Sequence, residues 1–371
     1  MSALKKEIKM KILHVTPGFY PYKGGIEKFV EGLCLNLNKM GHTSDVLTPN
    51  SRAYTKEKLP GYGEHRGIRI FRIPCIDFNF YYLAPSVLNF IKKYDVIHIH
   101  GIGFFSDFLT LIKPIHHKPL ILSTHGGIFH TKRFGIFKKI YFNFWCRLIL
   151  RKIDKIISDS KQDQKLFSKI VKPILVPVAV DCEKILKIRR KPHKNTLLYI
   201  GRISKNKRID RLIEVVYFLK KKIPDIKLHI IGNDWQGIRK DLENLAKEKK
   251  VEKNVIFEGI VSEEKKINHL SRSQFFVCAS EYEGFGISVV EAMGAGCPVI
   301  INNIEAFRNF VENGKNGFLV DFSKPEIVAD AVLNLMNKDL SGVQKNAKEI
   351  TKEYDWKNVV KRIKLIYEEC L

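Results

Sequence analysis

The sequence predicts an α/β protein made of two doubly wound domains in tandem, facing each other across a cleft. Three observations carry this expectation. Strand-like apolar runs alternate with helical patterns nearly from end to end, as in parallel sheets covered by helices. A stretch dense in Lys and Arg and broken by Pro192, Glu183–Asn195, interrupts the series, and a second series follows it. A chain of 371 residues is long enough for two domains that each bury a core.

The first domain is expected over residues 1–182. Its strands are Lys11–Thr16, Thr43–Thr48, Ile68–Ile73, Val96–His100, Leu120–Thr124, Lys155–Ser158 and Ile174–Val176, mostly short runs of Ile, Leu and Val beside turn residues. Its helices are Ile26–Met40, Pro85–Lys92, Phe104–Lys113, Ile136–Arg151 and Lys161–Ile170, where apolar residues recur at three- and four-residue spacing. Residues 183–195 read as a basic linker. The second domain, 196–355, has strands at Thr196–Gly201, Lys227–Gly232, Asn254–Glu258, Phe275–Cys278, Val299–Asn302 and Gly317–Val320, with helices between them and from about Lys324 to Cys370. Neither a short fixed-period repeat nor a low-complexity tract occurs.

The formal net charge of +25 implies a polyanionic partner: nucleic acid, an anionic membrane surface or a phosphorylated substrate. The seven cysteines are scattered without C-x-x-C or metal-ligand spacing, which suits a reducing compartment. Lys5, Lys6, Glu7, Lys9 and Lys11 stand where a signal peptide would be apolar. Since no apolar run reaches the ~20 residues of a spanning helix, an intracellular protein not integral to a membrane is expected.

The most informative string is Glu283–Pro298. Two glutamates eight positions apart, Glu283 and Glu291, flank the turn Gly284-Phe285-Gly286, which opens a short helix at Ile287. Free backbone N–H groups at a helix start receive anions, whereas the glutamates suit neutral hydroxyls of a ribose or hexose. A phosphate cradle beside carboxylates reads as a nucleotide-sugar site. The loop after the first strand carries Gly24-Gly25 before a helix, letting backbone approach a ligand; it is neither a P-loop nor G-x-G-x-x-G. The second domain opens similarly, with Gly201-Arg202 after a strand and Lys207 before the next helix. At a strand's carboxyl end these cations suit a diphosphate.

His98-x-His100 places two histidines on one strand face but brings no evident third metal ligand, so structural or cleft-lining roles are expected. His125, at a strand end before Gly126-Gly127, is the better substrate contact. No D-x-D occurs, so a carboxylate-held divalent metal is not expected, and charge neutralisation falls to Arg202, Lys207 and helix termini.

Together these strings resemble glycosyltransferase family 4, retaining enzymes of the GT-B fold with two Rossmann-like domains. The resemblance extends over essentially the whole chain. Its most specific element is the E-x7-E pattern with E-G-F-G and E-A-M-x-x-G-x-P around it, here Glu283–Pro298. The resemblance implies that Glu283 contacts hydroxyls of the donor sugar and Glu291 the ribose. Arg202 and Lys207 match the diphosphate-holding pair, Gly25 the phosphate-contacting glycine and His125 the histidine near the reacting sugar. The implied catalytic set is Glu283, His125, Arg202 and Lys207. The implied donor site comprises Gly24, Gly25, Gly201, Arg202, Lys207, Gly232, Glu283, Gly284, Phe285, Gly286, Ile287 and Glu291. The Tyr354-Asp355-Trp356 turn matches the segment that returns to the first domain, so a helix at about 356–371 is expected to pack there. Pro177-Val178-Ala179-Val180-Asp181 departs from the family's frequent P-N-G-V-D, and no side-chain role carries over to Val178.

The implied chemistry is front-face transfer, with retention, of a hexose from a GDP- or UDP-linked donor to an acceptor hydroxyl. The leaving diphosphate is stabilised by Arg202, Lys207 and the helix start at Gly286–Ile287. No metal or other cofactor is expected. Thr131–Lys155 holds eight Lys or Arg against one acidic residue, together with Phe134, Phe137, Tyr141, Phe142, Phe144 and Trp145. On a helix Phe134, Phe137, Tyr141, Trp145 and Leu148 form one stripe and Lys139, Asn143, Arg147 and Arg151 another. Such a helix either packs on the sheet or lies in an anionic membrane interface. The second reading makes the protein peripheral on the cytoplasmic membrane face, with a lipid-linked glycan or phospholipid as acceptor. A soluble acceptor and a nucleotide-sugar epimerase on the same scaffold are the alternatives. Nucleic acid is not an expected partner, since the aromatics form no stacking platform and no recognition motif appears.

Overall fold

The computed structural model describes residues 9–22, 24–51, 58–77, 81–125 and 141–371. It divides the chain into two compact units, residues 1–179 with 356–371, and residues 180–355.

The strands of the first unit are β1 (Lys11–Val15), β2 (Thr43–Pro49), β3 (Tyr62–His65), β4 (Ile68–Ile73), β5 (Ile76–Asp77), β6 (Tyr82–Leu83), β7 (Val96–His100), β8 (Leu120–Ser123), β9 (Lys155–Ser158) and β10 (Ile174–Leu175). Eight form one sheet in the order β10-β9-β8-β7-β1-β2-β4-β3. All its pairs are parallel except β3–β4. Edge strand β3 was not expected, because Tyr62-Gly63-Glu64-His65 lacks an apolar face. A tight turn through Arg66 (φ 53°) and Gly67 (φ 79°) makes the hairpin instead. The pair β5–β6 is separate.

In the second unit β11 (Thr196–Ile200), β12 (Lys227–Ile231), β13 (Val255–Gly259), β14 (Phe275–Cys278), β15 (Val299–Asn302) and β16 (Phe318–Val320) form an all-parallel sheet, order β13-β12-β11-β14-β15-β16. In each sheet the order reverses at the first strand of its unit, at β1 and at β11. Loops at the carboxyl ends of the strands flanking such a reversal diverge and leave room for a ligand.

The stretch 183–195 is not a free linker. Glu183–Leu186 is helical, Ile185 and Ile188 are buried in the second core, and the Lys191 and His193 N–H groups donate to Ser271 O (3.1 Å) and Arg272 O (2.7 Å). Its charged surface hides two inward apolar residues one helical turn apart.

The closing helix, Trp356–Glu368, belongs to the first unit. It buries Val359, Val360, Ile363, Ile366 and Tyr367 in one cluster with Phe29, Leu33 and Leu37 of helix Gly25–Lys39 and with Val96, Ile121 and Ile157 of the sheet. Gly32 is the close-approach point, since a Cβ there would overlap the Trp356 ring. Beneath this layer lie three fully buried histidines, His14 on β1 and His98 and His100 on β7. His14 and His98 are register partners. His98 is hydrogen-bonded through Nδ1 to Tyr367 Oη (2.6 Å) and through Nε2 to Ser123 Oγ (2.8 Å). Burial depresses all three basicities, that of His14 to about 3.

Gly32→Ala destabilises the fold, because overpacking of about 1–3 kcal/mol outweighs a helix-propensity gain of about 1 kcal/mol; a thermal melt showing equal or greater stability contradicts the docking. The histidines stay neutral in the fold, whereas in the unfolded chain each takes up a second, charging proton below about pH 6.5. Stability therefore falls as pH drops below 6.5, by roughly 2 kcal/mol per buried histidine at pH 5. Urea unfolding at pH 7 and pH 5 measures the slope, which His98→Gln makes shallower.

Candidate active site

In the second unit the loops after β11 and β14 meet beside the order reversal. Glu281 N–H donates to Asn206 O (2.9 Å), and Asn206 Nδ2 donates to Tyr282 O (3.2 Å). This fastening brings Lys207, only 7% exposed, against Glu283, with Nζ 2.6 Å from Oε2. Ser280 Oγ donates to the other Glu283 oxygen at 2.9 Å. The neighbouring carboxylate is engaged elsewhere, as Glu281 pairs with Arg208 and Arg211. Each Glu283 oxygen has two lone-pair directions and each Lys207 ammonium three N–H bonds, so both groups keep capacity for a ligand.

Gly286 caps helix Ile287–Gly294 at φ 104°, and a Cβ there would lie 2.7 Å from the Phe307 ring, so a side chain is excluded by both strain and space. At Gly284 a Cβ would meet nothing within 4 Å, which leaves its backbone open. Phe285 turns inward, with ring centroids 5.3 Å from Phe310 and from Tyr354. It anchors the turn while Ile287, 44% exposed, faces outward. Val289 and Val290 N–H already donate to Gly286 O (3.0 and 3.2 Å), so the anion-receptive end is made by the N–H groups of Ile287 and Ser288.

Gly201 and Gly232 have a packing reason. Gly232 (φ 151°) lies so close that a Cβ would overlap the Gly201 carbonyl oxygen, and a Cβ on Gly201 would approach Tyr199 Oη at 2.6 Å. Backbone meets backbone where β11 and β12 end. Arg202 is exposed, its guanidinium carbon 5.2 Å from the Trp235 ring centroid, a stacking that orients the fork. Glu291 is ion-paired: Lys266 Nζ lies 2.8 Å from its Oε1 and 2.9 Å from Glu263. Burial pulls the Lys266 ammonium down, but Glu291 and Glu263 outweigh it and raise the group.

In the first unit, Gly24 precedes helix Gly25–Lys39 in extended conformation, and the Glu27 carboxylate of the first turn lies over it. At Gly25 a Cβ would meet nothing within 4 Å. His125 lies two residues beyond β8 at φ 47°, and both its ring nitrogens are engaged. Nδ1 lies 2.8 Å from Asp159 Oδ2, and Nε2 lies 3.0 Å from His100 Nδ1. His100 Nε2 is in turn 2.9 Å from His14 Nδ1. Gly126 and Gly127 lie outside the described residues.

His14, His98 and His100 hold ring nitrogens within 4.8 Å of one another, so the third histidine that the sequence did not reveal comes from β1. Their nitrogens bond to each other, to Tyr367, to Ser123 and to His125, and a metal there would have to displace those bonds. A second group, His229, Glu258 and His269, converges on one carboxylate that Lys265 Nζ also meets at 3.1 Å. Burial raises Glu258, yet His229 and Lys265 hold it below the usual range, as in an ion-pair cluster.

Of the basic-aromatic segment, 131–140 lies outside the described residues, including Phe134, Phe137 and Lys139. The remainder is a π-helical turn, Tyr141–Trp145, continuing into helix Cys146–Leu150. The expected stripe is corrected here. Phe142, Cys146, Ile149 and Leu150 point inward, and Tyr141 Oη donates to buried Asp107 (2.7 Å), because the wider π turn rotates the register. Phe144 (72% exposed) and Leu148 (63%) stand outside beside exposed Arg147 and Arg151. Lys113 Nζ donates to Lys152 O (3.0 Å), which brings a neighbouring short helix with Ile115 (77% exposed) to this face.

Sequence reasoning missed Ser280, Lys266, Trp235, His14 and Asp159. Only Ser280, three residues before Glu283, carries a local signal; the others reach their partners through sheet register or a neighbouring helix.

The family model described as Glycosyltransferase Family 4 matches residues 23–184, and that described as Glycosyl transferases group 1 matches 182–366. A GDP-mannose:cellobiosyl-diphosphopolyprenol alpha-mannosyltransferase of Xanthomonas oryzae is 33% identical over 98% of this chain and 97% of its own length. A protein of the same description from Komagataeibacter xylinus is 28% identical over 98% and 94%. Among solved structures, a glycosyltransferase from Rickettsia africae superposes with a TM-score of 0.75 at 18% identity, covering 98% of both chains. An Anabaena protein in complex with UDP superposes with a TM-score of 0.77 at 18% identity, covering 97% of this chain and 100% of its own. The fold is GT-B, and the chain belongs to glycosyltransferase family 4 as a glycosyltransferase acting on a nucleotide sugar.

Proposed function

We propose that this protein transfers mannose, with retention, from GDP-mannose to a hydroxyl of a saccharide carried on a polyprenyl diphosphate at the cytoplasmic face of a membrane. The donor half rests above all on the Lys207–Glu283 pair at 2.6 Å, set beside the open Gly284 backbone and the helix start at Gly286. The choice of GDP-mannose and of a lipid-linked acceptor is supported by the relative that shares 33% of its residues over nearly the full length of both chains.

In this reading the diphosphate lies against the first turn of helix Ile287–Gly294, with Arg202 and Lys207 as its cations. Charge developing on the leaving oxygen is met by donors already in place, which costs no reorganisation during transfer. Glu283, held by Lys207 and Ser280, accepts from sugar hydroxyls and orients the ring. Glu291, steadied by Lys266, takes the ribose. On the first unit, Gly24 and Gly25 leave backbone accessible to a ligand, and His125 is the residue assigned to the sugar. The chain's own cations make the reaction metal-independent, so chelator leaves the rate intact.

Membrane attachment is supported by Phe144, Leu148 and Ile115, exposed among Arg147, Arg151 and Lys152. Basic residues near an anionic surface contribute about 1 kcal/mol each before screening, and the exposed apolar side chains add insertion. No helix among the described residues is long and apolar enough to cross a membrane.

Transfer assays with GDP-mannose, UDP-glucose and other nucleotide sugars, each against lipid-linked and soluble saccharides, test the proposal; preference for a donor other than GDP-mannose or for a soluble acceptor overturns the corresponding half. Because the Lys207–Glu283 pair is mostly buried, truncating either partner also strands a charge. Glu283→Gln keeps the shape and one acceptor oxygen but leaves the Lys207 ammonium unpaired, so its melting temperature falls; assayed well below that temperature, with the circular dichroism of the native fold, it is expected to lose about 10²–10³-fold in kcat, and full activity excludes the assigned role. In flotation with anionic liposomes at physiological salt the wild type rises with the lipid, whereas Phe144→Ser/Leu148→Ser stays behind. A wild type that does not float removes the membrane part.

A further inference from the structure

We propose that His14, His100 and Asp159 are positioning residues for His125, holding its ring as the Nδ1–H tautomer and its backbone in the left-handed region two residues beyond β8. The inference deepens the transfer reaction above and rests on its placing His125 against the donor sugar.

Four groups form one chain: Asp159 Oδ2, His125, His100 and His14, linked at 2.8, 3.0 and 2.9 Å. The Asp159 carboxylate accepts, so the His125 proton sits on Nδ1 and its Nε2 is an acceptor. His100 must then donate from Nδ1, which leaves its Nε2 bare to accept from His14 Nδ1–H. The proton count closes at His14 Nε2, which is bare, fully buried and without a hydrogen-bond partner. The reverse direction places two protons on His125 and leaves a buried N–H on His14 with no acceptor. Orphaned buried N–H groups are rarer than under-satisfied acceptors, so the chain runs one way. Burial keeps His14 and His100 neutral, each with the single proton this count requires.

The same contacts hold a strained backbone. A non-glycine residue at φ 47° costs on the order of 1–3 kcal/mol unless its surroundings over-determine it. His125 is fixed by Asp159, by stacking on His100 (centroids 5.3 Å) and by the edge-on ring of Phe29 (5.4 Å). Neighbouring His98 is tied separately to Tyr367 and Ser123 and takes no part in the chain. With both ring nitrogens engaged, His125 serves as a placed wall rather than as a base. Its position is decided two strands away, at His14.

Histidine-selective ¹⁵N NMR of the full chain tests this. The wild type is expected to show His125 protonated on Nδ1 and bare on Nε2. His14→Leu removes the donor, whereas His14→Asn keeps one near where Nδ1 stood. In His14→Leu the single His100 tautomer is lost, His125 Nε2 no longer has an assured donor, and kcat falls on the order of 10–100-fold, with KM for GDP-mannose little changed; His14→Asn restores most of both. A wild-type His125 protonated on Nε2, or a His14→Leu variant with the His100 tautomer and kcat unchanged, overturns the proposal. Should His14→Leu not fold, the wild-type tautomer decides. If His125→Ala transfers mannose at the normal rate, the donor-sugar reading fails, while the NMR result still judges the chain.

Discussion

The second unit must keep an ammonium and a carboxylate side by side without letting them cancel what each offers a ligand. Lys207 and Glu283 meet this constraint at 2.6 Å because two loops are fastened backbone to backbone around them. Withdrawing both charges from water is costly unless further hydrogen bonds compensate. Ser280 supplies one, while Arg208 and Arg211 draw off the neighbouring Glu281. The glycines serve the same end. Gly232 lets one loop press on the carbonyl of Gly201, and Gly286 turns the chain where Phe307 leaves no room for a side chain. In the proposed reading, an anion arriving at the helix start meets a cation already in position.

Much of this was legible in the sequence, and for physical reasons. A buried parallel strand reads as a run of Ile, Leu and Val, so the strands around both order reversals could be placed. Glu283, Gly286, Lys207 and Arg202 stand next to strand ends, where sequence position nearly fixes spatial position. Legibility failed where geometry is nonlocal or irregular. The His14 to His98 juxtaposition is a matter of strand register across 84 residues. Lys266 reaches Glu291 from another helix. The π turn at Tyr141–Trp145 rotated an amphipathic stripe that an ideal helical period had assigned wrongly. Residues 183–195 looked like a linker because charge outnumbered the two apolar residues that pack inward.

The first unit solves a different problem with the same polar vocabulary. It buries three histidines in a sheet, where desolvation makes them neutral hydrogen-bond relays rather than charges. In the proposed chain, His14 and His100 each fix the proton location of the next ring, until the pattern reaches His125 and Asp159. On another face the same unit leaves Phe144, Leu148 and Ile115 in solvent among arginines and lysines.

Helix Trp356–Glu368 sets the order in which this molecule can be made. Residues 180–355 form a contiguous unit and have every strand of their sheet once Val320 has left the ribosome. The first unit has its strands much earlier, but His98 waits for Tyr367, a partner 269 positions downstream. Until that helix is synthesised, the groove over Phe29, Leu33 and Val96 stays open and His98 lacks one of its two hydrogen bonds. The part of the chain translated first is therefore the last to reach its native packing.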